Sequence, residues 1–289
     1  MNDIRLPLGD TIDSGIDVLT DTFAPVFDLI RTVFLTLYEA VEFLLVSPPF
    51  WVIILIAAVL AYVVKGWKFA IGTIVGMLII VGVNQWENAM QSVALVLVAS
   101  AIAIVISVPL GVLAAKSNRS SAIIRPILDF LQTMPAFVYL VPALILFRVG
   151  VVPGIVATIV FALAPGVRFT ELGIRGVDKE VVEAGQAFGS SPWSILRQIQ
   201  LPLAAPTIMA GINQVIMLSL SMVVIAGLVG GGGLGSDVVK ALSRLDVSLG
   251  FEAGISVVII AIFLDRITAA LSGKRRRVWP VRSRTPVAA

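Results

Sequence analysis

Long apolar stretches separated by short polar ones dominate the chain, and their lengths set the first expectation. A hydrocarbon layer of about 30 Å requires about 20 helical residues. Residues 49–64, 69–83, 90–115, 135–147, 151–169, 205–229 and 254–271 form segments that cross such a layer or nearly cross it. Because lipid offers the backbone no hydrogen-bond partners, these segments predict an all-α polytopic membrane protein with about seven spans. The fourth is short. Around Arg148, Val149 and Gly150 it is either a separate span or forms a broken pair or re-entrant segment with the fifth.

Residues 1–48 follow a different pattern. Phe27, Ile30, Phe34, Leu37, Val41 and Leu44 recur at three- and four-residue intervals, with Asp28, Arg31, Glu39 and Glu42 between them. This predicts an amphipathic helix lying at the outer interface or against the rest of the protein; a tilted eighth span is the alternative. No basic segment and small-residue cleavage site flank an apolar core, so a cleaved signal peptide is not expected. Three regions result: an extracytoplasmic or interfacial segment at 1–48, a membrane domain at 49–271, and a basic tail at 272–289.

Lys and Arg in short loops set the orientation. Lys65 and Lys68, then Lys116, Arg119 and Arg125, then Arg168, Arg175, Lys179 and Arg197, then Lys274, Arg275, Arg276 and Arg277 fall in alternate loops and the tail. Those sides are expected in the cytoplasm, with the N-terminus outside and the C-terminus inside. Arg148, Lys240 and Arg244 are the exceptions; Asp237, Asp246 and Glu252 partly balance the last two.

Composition narrows the function. Hydrophobic residues make up 58% of 289 and charged residues 13%, which suits a bilayer rather than water. The net charge of +3 reads as topology, not as nucleic-acid binding. With no Cys and no His, the commonest metal ligands and general base are missing, so the chain is not expected to be an enzyme or to bind a metal. Residues 93–115 and 206–229 carry no Asp, Glu, Lys, Arg or His, and thus no mid-membrane proton relay. Nor does the chain contain a phosphate-binding Gly-x-x-x-x-Gly-Lys-Ser/Thr loop. If it moves solutes with ATP, the ATP and Mg bind a separate ATPase. Ion-coupled secondary transport and a non-transporting scaffold stay open.

One polar stretch between spans, residues 178–202, has the punctuation of two short helices. Asp178 suits an N-cap, Glu180 the positive end of a helix dipole, and Gly189 a left-handed C′ position. Ser190 or Ser191 caps a second start, Pro192 fits its first position, and Pro202 is expected to end it. Ala184, Gly185 and Ala187 leave the first helix little bulk, so a partner's groove could approach, while Phe188 offers one large apolar contact. The alternative is an ordinary helical hairpin on the membrane surface.

These residues resemble the EAA motif of ABC importer permeases, in which Glu-Ala-Ala is followed by Gly at the seventh, Ile at the seventeenth and Pro at the twentieth position. Glu183, Ala184, Gly189, Ile199 and Pro202 match it; Gly185 replaces the second Ala. The likeness extends over roughly residues 25–270. Ser107-Val108-Pro109-Leu110-Gly111, the run Asp129 to Pro135, Pro142, and Ala226 to Gly235 are similar to the glycine betaine/proline/choline permeases of osmoprotectant uptake. The resemblance implies a type I ABC importer transmembrane-domain-like helical bundle in the bacterial inner membrane, in contact with membrane lipid. It further implies two copies of a cytoplasmic ABC ATPase, an extracytoplasmic substrate-binding protein, and a second permease, most simply another copy of this chain. An importer for another small solute, such as an amino acid, is the alternative.

Candidates for a translocation path come from the sixth span: Asn213, Gln214, Met217, Ser219, Ser221 and Met222. The polar members need partners or water in the bilayer, so they line a passage or merely hydrogen-bond between helices, and the two Met could form a soft constriction. Gly230, Gly231, Gly232 and Gly233 relax the backbone at the outer end, as a gate hinge or as a flexible turn. Pro109, Pro135, Pro142 and Pro165 are candidate kinks. With three Tyr and five Trp, most near expected interfaces, the chain offers few aromatic faces for a quaternary ammonium, so selectivity is expected in the binding protein.

Overall fold

The computed structural model describes residues 8–273, so residues 1–7 and the basic residues Lys274 to Arg277 of the expected tail lie outside it. Among the described residues every element is helical: α1 (Leu8–Val46), α2 (Phe50–Lys65), α3 (Trp67–Gly82), α4 (Trp86–Lys116), α5 (Asn118–Thr133), α6 (Ala136–Phe147), α7 (Val151–Arg175), α8 (Lys179–Ala187), α9 (Pro192–Ile195), α10 (Leu201–Ser221), α11 (Val223–Gly227), α12 (Gly233–Arg244) and α13 (Val247–Gly273).

The centre of the bundle is α4 against α7, with α10 packed on both. Apolar burial drives little association inside a bilayer, so close packing of small residues matters more. A Cβ added to Gly166 would stand 2.7 Å from Ser107 Cβ, and one on Gly111 would stand 2.5 Å from Thr170 Cβ. The α7 and α10 backbones approach similarly where Gly211 meets Phe169. Around this centre, Met90, Leu95, Ile155, Val215 and Ile260 are almost fully buried. The α2–α3 hairpin leans on α13, where Gly76 faces Ile259 and Phe69 stacks on Phe263.

Among the described residues, four helices are long and apolar enough to cross a membrane: α4, α7, the continuous helix Pro192–Gly227, and α13. The number rises to as many as six if each of two bent pairs counts as one span. The expected first and fourth spans become members of those pairs. The end of α1 joins α2 at a 96° bend, and α5 joins α6 at 98°. At 16 residues, α2 and α3 are each about 24 Å long, short of the layer by themselves.

Several expectations need correction. The stretch carrying Arg119 and Arg125 is not a loop but α5, an amphipathic helix capped by the Ser117 hydroxyl accepting from Ser120 N. The fourth segment pairs with this helix instead of with the fifth, because Met134 and Pro135 are extended, as a residue before proline tends to be. Pro202 does not end its helix. The turn Leu196–Gln200 is a π-turn in which Leu201 N bonds Leu196 O, and this widened turn accommodates the proline. The segment after Gly232, expected as an external loop, is likewise largely helical, as α12.

The long α1 is interrupted at Phe23, two residues before Pro25. Beyond it, Phe27 meets Phe147 edge-on at 5.7 Å, Asp28 lies 4.0 Å from Arg148, and Tyr38 is buried in the central core. Past the other end of α1, Phe50 meets Trp86. Phe147 and Trp86 both stand where the long helices α7 and α4 begin, so this stretch connects two points at the same end of the bundle.

Candidate coupling and translocation sites

The stretch 178–202 folds as its punctuation predicts at four points. Asp178 accepts from Glu180 N at 3.0 Å, Gly189 takes φ +76°, the Ser191 hydroxyl accepts from Ser194 N at 3.2 Å, and Pro192 opens the second helix. The two arms form a knob at one end of the bundle. Glu183, Ala184, Ala187, Phe188, Gly189 and Pro202 are exposed, Phe188 by 90%. Gly185 points the other way. It is buried, and a Cβ there would lie 2.8 Å from Ile199 Cδ1 and 3.5 Å from Ile195 Cγ1. The lack of bulk at Gly185 thus lets the arms close on each other; it does not open a partner's groove. Ile199 acts from inside the knob, where it is half-buried.

The second arm is seated on the bundle. Leu196, Ile174 and Ala204 are buried together, with Val112, Ala115 and Ile208 around them. Lys116, at the end of α4, sets its ammonium 5.3 Å from the centre of the exposed Trp193 ring, a cation–π contact from bundle to knob.

Next to the knob is a charged cluster that the spacing of Lys and Arg only hinted at. Glu171 on α7 is 3% exposed. Its carboxylate accepts from Ser121 Oγ at 2.8 Å, from Arg125 Nη2 at 2.9 Å and Nε at 3.2 Å, and lies 2.9 Å from Arg175 Nε. Arg175 also donates to Asn118 Oδ1 and to Ala114 O, each at 2.8 Å. Deeper along the same two helices, Arg168 is paired with Asp129. Cationic residues read as orientation markers therefore also join α4, α5 and α7. The signal in the sequence was Glu171 itself, an acid at the end of an apolar run and four residues before Arg175.

The six translocation candidates divide into two groups. Gln214 and Ser221 are exposed and Met217 is half-buried, and their spacing puts all three on one face of α10. The other three are packed. Asn213 accepts from Thr268 of α13, Ser219 is fully buried with its hydroxyl on Val215 O at 2.8 Å, and Met222 is buried against Leu140, Ala157 and Val229. Of the two methionines suggested for a constriction, only Met217 is on the open face.

The glycine run at the opposite end is a close-packed corner, which corrects the flexible-turn reading. Gly230, Gly232 and Gly233 have φ of +82°, +71° and +62°. A Cβ on Gly233 would stand 2.5 Å from Ser92 Oγ, one on Gly231 2.6 Å from Ala226 O, and one on Gly227 2.2 Å from the carbonyl carbon of Gly235. The start of α4 holds the corner: Gln91 Oε1 accepts from Gly233 N at 3.0 Å, and Ser92 Oγ accepts from Leu234 N at 2.9 Å. Asp237, 7% exposed, accepts from Asn88 Nδ2 at 2.6 Å, Gln85 Nε2 at 3.2 Å and Lys240 Nζ at 2.9 Å. The sequence pattern did not pick out this cluster, because its members lie about 150 positions apart and the amides are unremarkable singly.

Comparison with known proteins identifies this architecture. Residues 107–277 match the family described as binding-protein-dependent transport system inner membrane component. The chain is 46% identical over 275 residues to the glycine betaine/carnitine transport permease protein of Listeria monocytogenes, covering 94% of this chain and 97% of that one. It is 45% identical over 271 residues to the glycine betaine/proline betaine transport system permease protein of Escherichia coli, covering 94% and 77%. Among solved structures, the inward-facing MetNI methionine ABC transporter is similar in fold, with a TM-score of 0.61 at 20% identity over 65% of this chain and 94% of that one. The chain belongs to the family of inner-membrane components of binding-protein-dependent transport systems, and is a multi-pass permease subunit.

Proposed function

We propose that this permease imports a quaternary-ammonium compatible solute, and that the knob receives the force for import from a separate ATPase that binds ATP and Mg. The observation that carries the coupling role is the knob's construction: Gly185 of the motif is closed on Ile199 inside, while Glu183, Ala184, Gly189, Phe188 and Trp193 are exposed. A packed knob with two exposed aromatic rings suits a groove on a soluble partner. The cargo is inferred from the named relatives. Glycine betaine, proline betaine and carnitine each join a quaternary ammonium to a carboxylate, and choline and proline fall in the same uptake group.

In this reading the knob end faces the cytoplasm, the glycine corner and the start of α4 face outward, and a binding protein delivers the solute there. The N-terminus lies outside, the C-terminus inside, and α1 lies across the outer end of the membrane domain without forming a separate crossing. The Ser221 hydroxyl is held on Met217 O at 3.1 Å, but the exposed amide of Gln214 on the same face calls for a partner other than lipid. A second copy of the chain answers this by placing the two α10 faces around a shared passage, with one ATPase under each knob. Asn213, Ser219 and Met222 hold the helices behind that face, and the glycine corner moves as a block with the start of α4.

The test is uptake of glycine betaine into vesicles containing the full complex. Uptake should need ATP on the knob side and the binding protein on the other. Gly189→Glu should leave membrane insertion intact, while the ATPase no longer co-purifies and uptake is lost. Normal uptake by that variant would sink the coupling role. Uptake driven by an ion gradient without any ATPase would establish a secondary carrier instead.

A further inference from the structure

We infer that Glu171 is a positioning residue for coupling: with Arg125 and Arg175 it fixes α5 to α7, so that displacement of the knob reaches the broken pair α5–α6. The inference rests on the reading of residues 178–202 as the ATPase-docking knob.

The chain path supports it first. Only Gly176, Val177 and the cap Asp178 separate α7 from α8, so α7 continues almost directly into the knob. Glu171 lies one turn before that junction. Its carboxylate is bonded by Ser121 and Arg125 of α5 and by Arg175 of its own helix, and Arg175 reaches on to Asn118 and to the α4 carbonyl of Ala114. Deeper along the same pair, Arg168 meets Asp129, and Leu128 is buried against Ala164 and Val167. α5 is therefore fastened to α7 from Ser121 to Asp129.

The bend beyond α5 is the second support. At Met134 and Pro135 the chain turns by 98°. α6 packs on the other end of α7, with Leu140 against Ala157 of that helix and against Met222 and Val229 beside the glycine corner. The broken pair thus has one half on the knob end of α7 and the other half on its far end, with Pro165 inside that helix between Ala157 and Glu171. A movement of the knob carried by α7 and α5 is taken up at the bend.

The choice of chemistry is the third support. A buried ion pair is often replaceable by apolar side chains at no loss of stability, so packing alone does not call for a carboxylate here. Two guanidinium groups on one carboxylate fix direction and register between helices, which apolar contact does not.

The experiment compares the full complex carrying Glu171→Ala, Glu171→Gln or Arg125→Met with the parent. ATP hydrolysis and glycine betaine uptake are measured on the same vesicles. Co-purification of the ATPase and hydrolysis should persist, while uptake per ATP falls roughly tenfold for Glu171→Ala, as for a typical coupling between sites, and less for the other two. The chain has no Cys, so spin labels can be placed singly and read at low labelled fraction. Labels at Arg119 on α5 and Gln186 on the knob should keep their separation when nucleotide is trapped, while Val141 on α6 shifts against Gln186. Parental uptake per ATP in both Glu171→Ala and Arg125→Met would overturn the inference, as would a change in the Arg119 to Gln186 separation. If Glu171→Ala fails to insert, Arg125→Met, an alteration of a side chain 59% exposed, decides the matter. An ATPase that does not co-purify with the parent overturns the knob reading itself, which separates the two failures.

Discussion

The two ends of the bundle each contain a buried carboxylate and use it differently. At the knob end, Glu171 is met by long arginine side chains from two helices, and the surrounding elements touch through charges, one cation–π contact and the apolar seat of Leu196 on Ile174 and Ala204. At the opposite end, Asp237 is met by two neutral amides and a lysine on its own helix, beneath backbones so close that glycine is the residue that fits. Long charged side chains hold elements together at a distance and re-form after small displacements. Backbones in direct contact allow no displacement without a clash. On the proposed reading the knob end passes on movement, and the glycine corner resists it.

The largest effect should come from adding one methyl to the corner. Gly227→Ala places a Cβ 2.2 Å from the carbonyl carbon of Gly235, where neither backbone can yield, so stability should fall by about 3 kcal/mol or more. Thermal unfolding in detergent would register this, and an unchanged midpoint would break the contrast.

A paired substitution sharpens it further. Asp237→Asn removes the attraction to Lys240 and leaves the amides of Gln85 and Asn88 an imperfect acceptor, at a cost of about 1–2 kcal/mol in stability. Its uptake per ATP should match the parent's. Glu171→Gln should lower the midpoint too, since Arg125 and Arg175 then face an amide, but it should also lower uptake per ATP. If Asp237→Asn lowers uptake per ATP as well, the two carboxylates do not have separate roles.

Trp193→Ala should weaken the tie between α4 and the knob by about 0.5–1 kcal/mol, the range for a cation–π contact at an exposed site. Titrating the ATPase against the complex would show this as a modest loss of affinity. Gly185→Ala, which restores the residue usual in the motif, should change least. Its Cβ meets only the flexible tip of Ile199 at 2.8 Å, and the roughly 1 kcal/mol gained in helix propensity offsets the adjustment. A large loss of stability there would mean that the knob's interior is as unyielding as the glycine corner.

Local signals were legible at the knob. Asp178, Gly189, Ser191 and Pro192 do what their types favour, because caps and left-handed positions depend on the few residues around them. Pro202 was not legible, since the π-turn that accommodates it needs Leu196 and Ala204 seated on α4 and α7. Nor was α5, whose polar face looks like a loop until Glu171 and Arg168 supply partners from another helix.

The sequence by itself determined that this is a helical membrane permease, because hydrophobic length and motif spacing are properties of the chain read in order. It also determined where the knob lies and how its two helices begin. The tertiary structure alone decided which way each residue faces. It turned Gly185 inward, divided Gln214, Met217 and Ser221 from Asn213, Ser219 and Met222, made the glycines a packed corner, and brought Ser121 and Arg125 to Glu171. Those outcomes depend on which helices become neighbours, and inside a bilayer that is settled by the close fit of small residues and buried polar groups between spans, not by hydropathy.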